Sequence, residues 1–208
     1  RNPVRVELLR LTDGACVGGF SVQGSSKGSL AFSPAGRLLA HMDGRELAAS
    51  LWDLSAQPTP TCCARARFEW QQLGPLVALG FDPEGMLAVF RHGGLRRLRP
   101  DGGVDAWALA LPPELAVPAP QRRDLTSGLD AALAQLSGEA ALDCDTRLKL
   151  DAAALSPDGT LLAAAFGHTL AVFRLADGGE AFRLPVDGPI AGLAFTWDGG
   201  LLAQPRRG

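Results

Sequence analysis

Tyrosine is missing from this 208-residue chain, and asparagine and isoleucine occur once each, as Asn2 and Ile190. Lysine is nearly missing too: Lys27 and Lys149 are the only two, and the other basic residues are arginines. Ala, Leu, Gly, Pro and Arg dominate instead, a bias that GC-rich coding produces and that points to a bacterial source. The formal net charge of −2 gives no general attraction to nucleic acid or to acidic membrane. No apolar run approaches the roughly 18 residues a membrane helix needs, and no signal peptide is visible, so the expected place is the cytoplasm. The four cysteines, Cys16, Cys62, Cys63 and Cys144, form no CxxC pair. Adjacent Cys62 and Cys63 suit neither an ordinary disulfide nor a zinc knuckle, so the thiols read as small hydrophobes in a reducing compartment. Neither metal nor cofactor is expected.

What the chain has is repetition. Four segments line up: "SPAGRLLA" (33–40), "DPEGMLAV" (82–89), "SPDGTLLA" (156–163) and "TWDGGLLA" (196–203). Each comes after an apolar strand-like run and leads into another. Two such runs joined by a Pro/Asp/Gly turn predict a hairpin, with glycine supplying a positive φ. A third apolar run comes next, as in "LAASLWDL", "LRRLRP" and "LAVFRL", then a second Asp-Gly turn and a fourth run. The unit is therefore a meander of four antiparallel strands. Its apolar faces are too small to stand alone, so units must pack face to face. The aligned glycines, Gly36, Gly85, Gly159 and Gly199, are separated by 49, 74 and 40 residues, so the middle interval hides a weak repeat or an insertion.

This pattern resembles the WD-repeat β-propellers. "SLAFSPAGRLLAHMDGRELAASLWDL" (29–54) carries most of that family's unit, with Trp52-Asp53 as its dipeptide. "DAAALSPDGTLLAAAFGHTLAVFRLADG" (151–178) keeps the Ser-Pro-Asp-Gly but has Phe173-Arg174 in place of Trp-Asp. The Gly-His that precedes many family repeats is missing, so these repeats are divergent. The resemblance implies an all-β fold: a propeller of four-stranded antiparallel blades, four recognisable and with room for a fifth, in a single domain. The blades fall at about 23–72, 73–111, 149–184 and 187–208, the last completed by 1–22.

"GACVG" (14–18) has the outline of a nucleophile elbow around Cys16. An elbow needs a strand-to-helix turn and a positioned base. Here "VELLRLTDGACVGGF" (6–20) aligns with "LAVFRLADGGEAFRL" (170–184), which places Cys16 in a fourth strand and excludes it as a nucleophile. The chain thus opens on strands three and four of a unit and ends on strands one and two. Joined tail to head these complete a blade, as in a ring closed with strands from both ends. An array cut between strands two and three would show the same pattern.

Residues 112–148 depart from the repeat. "PPELAVPAPQRRD" is proline-rich and extended; "SGLDAALAQLSG" (127–138) predicts a short helix with Ser127 as N-cap and Leu129, Leu133 and Leu136 on one face. The segment is either a helical insertion or a degenerate blade.

Chemistry is thin. By alignment His41 lies in a second strand, and His92 and His168 in turns of separate blades, with no reason to converge. The first strands begin at Ser29, Leu76, Asp151 and Ile190, a poor set for holding a metal or activating water in a central channel. "RHGGLRRLRP" (91–100) is locally basic but reads as a solvated strand face rather than a nucleic-acid surface. The expectation is a non-enzymatic protein-interaction scaffold within a larger assembly or a multidomain protein. The alternative is a small-molecule-binding, carbohydrate-binding or hydrolytic propeller with a site in the channel. The resemblance puts the partner-binding face at the turns between strands two and three and the connections between blades. Its residues would be Lys27, Arg45, Arg91, His92, Arg122, Arg123, Arg206 and Arg207, interspersed with Asp43, Glu46, Asp124 and Asp187. The mild positive excess favours an acidic protein partner.

Overall fold

A computed structural model describes residues 3–22, 28–55, 59–69, 73–108 and 149–206. Contacts divide the chain into one unit of Arg1–Ala110 with Lys149–Gly208 and another of Leu111–Leu148. The second unit, with the expected helix or degenerate blade at 112–148, lies outside the described residues.

The described residues form sixteen strands. A first hairpin is made by β1 (Val4–Leu9) and β2 (Cys16–Val22). Three four-stranded antiparallel meanders come after it. The first is β3 (Gly28–Phe32), β4 (Leu38–Asp43), β5 (Ala48–Asp53) and β6 (Thr61–Arg67). The second is β7 (Leu76–Asp82), β8 (Gly85–Phe90), β9 (Gly94–Leu98) and β10 (Val104–Ala108). The third is β11 (Ala152–Leu155), β12 (Leu161–Phe166), β13 (Thr169–Arg174) and β14 (Glu180–Pro185). A last hairpin is β15 (Ile190–Phe195) with β16 (Leu201–Pro205). Within each meander, strand order matches sequence order, as short turns between apolar runs dictate.

The turns show why the repeated motif folds this way. Ser33 Oγ accepts a hydrogen bond from the Leu38 amide at 2.9 Å, and Ser156 Oγ accepts one from the Leu161 amide at 2.9 Å. The hydroxyl thus replaces ladder partners the turn removes. Gly36, Gly159 and Gly199 have φ of 67°, 71° and 87°, a region costly for residues with a Cβ. Gly85 is the exception among the four aligned glycines. "DPEG" makes a tighter turn in which Asp82 pairs directly with Gly85, so this glycine sits in the strand without a positive φ. It is glycine because a Cβ there would meet the Leu98 carbonyl oxygen at 2.5 Å.

The first strands succeed one another: β3 lies against β7, β7 against β11, and β11 against β15. Between them the sheets pack face to face. Met42, Leu51 and Ala40 of one blade meet Phe81, Met86 and Phe90 of the next. Gly80 lets the Leu155 side chain into the next interface, where a Cβ would come within 2.6 Å of Leu155 Cδ1. The strand β8 is buried along its whole length because both of its faces are covered.

Two details depart from the alignment. The Thr196 amide bonds to the Gly200 carbonyl, whereas the Ser156 amide bonds to the Leu161 carbonyl. The hairpin β15–β16 is therefore offset by one residue, and a one-residue offset exchanges the faces of a strand. Leu201 turns into the core while Leu202 is exposed, the reverse of Leu161 and Leu162. Also, among the described strands β1–β2 and β15–β16 are each a two-stranded sheet, where the other three units have four strands.

Candidate functional site

The rim carrying the turns between second and third strands is a hydrogen-bonded edge. Each such turn is tied to a connection that leads into or out of a blade. The Phe68 amide donates to Leu47 O at 3.0 Å, His92 to Leu73 O at 3.2 Å, and Val186 to His168 O at 2.9 Å. The Arg206 amide, just past β16, donates to Pro189 O at 2.8 Å. Asp43 caps the first of these turns from a buried position, accepting from the Arg45 amide at 2.7 Å and the Glu46 amide at 3.1 Å. Asp151 Oδ2 accepts from the Gly167 amide at 2.8 Å, so this first-strand carboxylate is committed to the backbone.

Of the eight expected partner-binding residues, Arg45, Arg91, His92 and Arg206 are placed on this rim. Lys27, Arg122, Arg123 and Arg207 lie outside the described residues. The four that are placed differ in display. Arg45 and Arg206 are exposed. Arg91 and His92 are half-buried. The His92 ring fills the space beside Gly74, whose φ is +69° and where a Cβ would lie 2.9 Å from the ring. Among the described residues neither Arg91 Nε nor His92 Nδ1, both buried, has a hydrogen-bond partner. Of the four acidic residues expected there, Asp43 is buried and Glu46 pairs with Arg67 at 3.1 Å.

The opposite rim holds a feature that residue spacing does not announce. A cleft of about 670 Å³ lies between the second and third meanders, lined by Asp82, Glu84, Arg97, Trp107, Phe173 and Arg174 among others. Its centre is Arg97, which alternation on β9 sends to the same side as Trp107. The guanidinium donates from Nε to Asp82 Oδ2 at 2.7 Å and pairs with Glu84 and Asp105. It also lies 4.8 Å from the Trp107 ring centroid, a cation–π distance. Arg99 shares Asp105, and its two-pronged bonding holds that carboxyl below its usual range. These carboxylates are committed to arginines, which is a structural use. Two arginines of "RHGGLRRLRP", Arg97 and Arg99, are thus met by carboxylates of the protein itself. Among the described residues no three of His, Cys, Asp and Glu come together as a metal site would require.

Four-stranded antiparallel blades, packed face to face with their first strands in succession, define a β-propeller. No protein-family model and no curated protein matches the sequence. Among solved structures, the chain is similar to the β-propeller domain of Cps50 (Swd1) from Myceliophteria thermophila, at 18% identity and a TM-score of 0.64. The match covers 97% of this chain and 57% of that one, so this chain spans somewhat over half the length of the domain it resembles.

Proposed function

We propose that this chain is a non-enzymatic, WD-repeat-like scaffold that binds protein partners as part of a larger assembly or a multidomain protein in a bacterial cytoplasm. The rim of turns between second and third strands carries the reading. Bonds from turn to connection hold its loops rigid, and a rigid loop surface loses little entropy when it binds. Arg45 and Arg206 stand exposed on it as anchors suited to an acidic protein surface. The likeness to the Cps50 (Swd1) propeller supports the fold on which the reading depends.

The test is affinity capture with the wild type, with Arg45→Glu/Arg206→Glu, and with Asp101→Lys/Asp177→Lys, which reverses charges of the opposite rim. The first variant is expected to lose the captured partners and the second to keep them. Partners that survive the first variant and vanish with the second would overturn the choice of rim.

A further inference from the structure

We propose that Cys62 and Cys63 form a dithiol site that binds a monosubstituted trivalent arsenical through both sulphurs. A register shift within the whole blade β3–β6 brings the pair together.

In a regular strand, adjacent side chains point to opposite faces. Between β5 and β6 that alternation is interrupted. Leu51 pairs with Ala64 and Trp52 with Cys62, which leaves Cys63 as an extra residue. Such a bulge re-aims the side chains beside it. The same shift recurs where β1 meets β2 and where β13 meets β14, with Val17 and Ala181 as the extra residues. The bulge therefore belongs to the blade architecture. Its two residues are Cys16 and Val17 in the first case and Glu180 and Ala181 in the last. Among the described residues, β6 alone places two thiols there.

Both sulphurs gather at one rung of the ladder. Cys63 Sγ donates to Leu51 O at 3.3 Å and Cys62 Sγ to Ala64 O at 3.5 Å, and Leu51 and Ala64 are cross-strand partners. The Cys63 thiol is pushed up, chiefly by partial burial and also by a charge on Cys62. Each sulphur is thus within electrostatic reach of the other. Arg65 Nε donates to Cys62 Sγ at 3.2 Å, so a positive charge stands beside this sulphur as its proton leaves. Solvent reaches the pair: β6 is the outermost strand of its blade, Cys63 is exposed and Cys62 half-buried.

The ligand class follows from the number of donors. Structural zinc takes four ligands, and among the described residues no three of His, Cys, Asp and Glu come together. A monosubstituted trivalent arsenical needs only two sulphurs, because its third bond is to carbon. Its S–As–S angle is bent, which suits thiols on adjacent residues, whereas two-coordinate copper or mercury prefers a linear arrangement. The exchange needs no oxidant. Two As–S bonds form, two As–OH bonds break, and each hydroxyl leaves with a thiol proton as water.

The test is intact-mass spectrometry of the folded 208-residue chain treated with phenylarsine oxide. Excess glutathione, a monothiol, is present to strip arsenic held by a single sulphur. The wild type is expected to retain one phenylarsenic group. Tryptic digestion after removal of the excess should locate it on peptide 46–65, which holds Cys62 and Cys63 and neither other cysteine. The double variant Cys16→Ser/Cys144→Ser should retain the group as the wild type does. Cys62→Ser and Cys63→Ser should each bind it about a hundredfold more weakly, since only one contact is left. Circular dichroism checks the fold of each variant, and where a variant does not fold the wild-type peptide map decides. A wild type that retains no group under glutathione, a group mapped outside peptide 46–65, or a folded Cys62→Ser or Cys63→Ser chain that holds it as tightly as the wild type would each overturn the proposal.

Discussion

Phe20 stacks on Trp52 with ring centroids 4.1 Å apart and planes 26° from parallel. This pair fastens the first hairpin to the blade behind it. Trp52 also donates from Nε1 to Ser50 Oγ at 3.0 Å, which fixes its ring. Phe20→Ala removes the stack and opens a cavity among Leu8, Val22 and Leu39. The expected loss in urea-monitored stability is about 3 kcal/mol. Hydrogen exchange of residues 4–22 should also speed up more than that of β7–β10. Uniform acceleration across all strands would show that the hairpin is not a separately anchored element.

Gly159 sits where a Cβ would overlap Phe81 O and come 2.8 Å from Asp82 Cα, backbone atoms of the neighbouring blade. Gly36 occupies the matching turn with nearly the same φ and open space around it. Gly36→Ala should cost about 1 kcal/mol, the strain of a left-handed alanine. Gly159→Ala adds an overlap between two blades and should cost about 2 kcal/mol or more beyond that. Thermal unfolding of the two variants side by side measures the difference. Equal losses would mean that the blades are not in contact at Asp82.

Arg97 neutralises a nearly buried carboxylate. The Asp82 side chain is 1% exposed, and its other oxygen accepts from the Glu84 and Gly85 amides at 3.0 and 2.9 Å. Removing Arg97 leaves that charge in the interior, so Arg97→Ala should cost about 3–5 kcal/mol. Arg37 also pairs with an aspartate, Asp53, at 3.3 Å, but its side chain is 69% exposed. Arg37→Ala should cost about 0–1 kcal/mol. Denaturant titration of both variants checks the contrast.

Asp53, the acidic half of the Trp-Asp dipeptide, has its carboxyl held down to about 2. The bonds from Ser55 are the main cause, with Arg37 contributing less. The folded state thus binds this proton more weakly than the unfolded chain, in which the ordinary value is 3.8. The resulting stabilisation is complete above pH 3.8 and is lost as pH falls from there through about 2. Carbon-13 titration of the carboxyl should report the low value, and Ser55→Ala should raise it toward the ordinary range. A wild-type value near 3.8 would show that the Ser55 bonds do not persist in solution.

Most of the fold is legible in the sequence because one physical pattern recurs. Short apolar runs between Ser-Pro-Asp-Gly turns make meanders, and the faces of "LLAAAF" and "TLAVFR" require cover on both sides. The offset of β15–β16 is not legible. "TWDGGLLA" and "SPDGTLLA" share their spacing, yet the Thr196 amide bonds to the Gly200 carbonyl where the Ser156 amide bonds to that of Leu161; a Cβ at Gly200 would lie 2.7 Å from Thr196 Oγ1, a closeness that spacing alone does not announce. The role of Gly85 is hidden for the same reason: its cause is the Leu98 carbonyl on another strand. At the candidate site the rim itself comes from strand order. Strand order does not reveal that His92 is packed against Gly74 while Arg45 is displayed, since exposure of a turn residue is settled by the neighbouring connection.

The fold depends on blades packed face to face with first strands in succession. The most direct check is a methyl-selective nuclear Overhauser spectrum of the folded chain, read at the contact between Gly80 of β7 and Leu155 of β11. A Cβ on Gly80 would fall 2.6 Å from Leu155 Cδ1, so the Gly80 Hα protons and a Leu155 methyl should give a strong cross-peak. Absence of that cross-peak in a folded, assigned sample would contradict the blade arrangement itself.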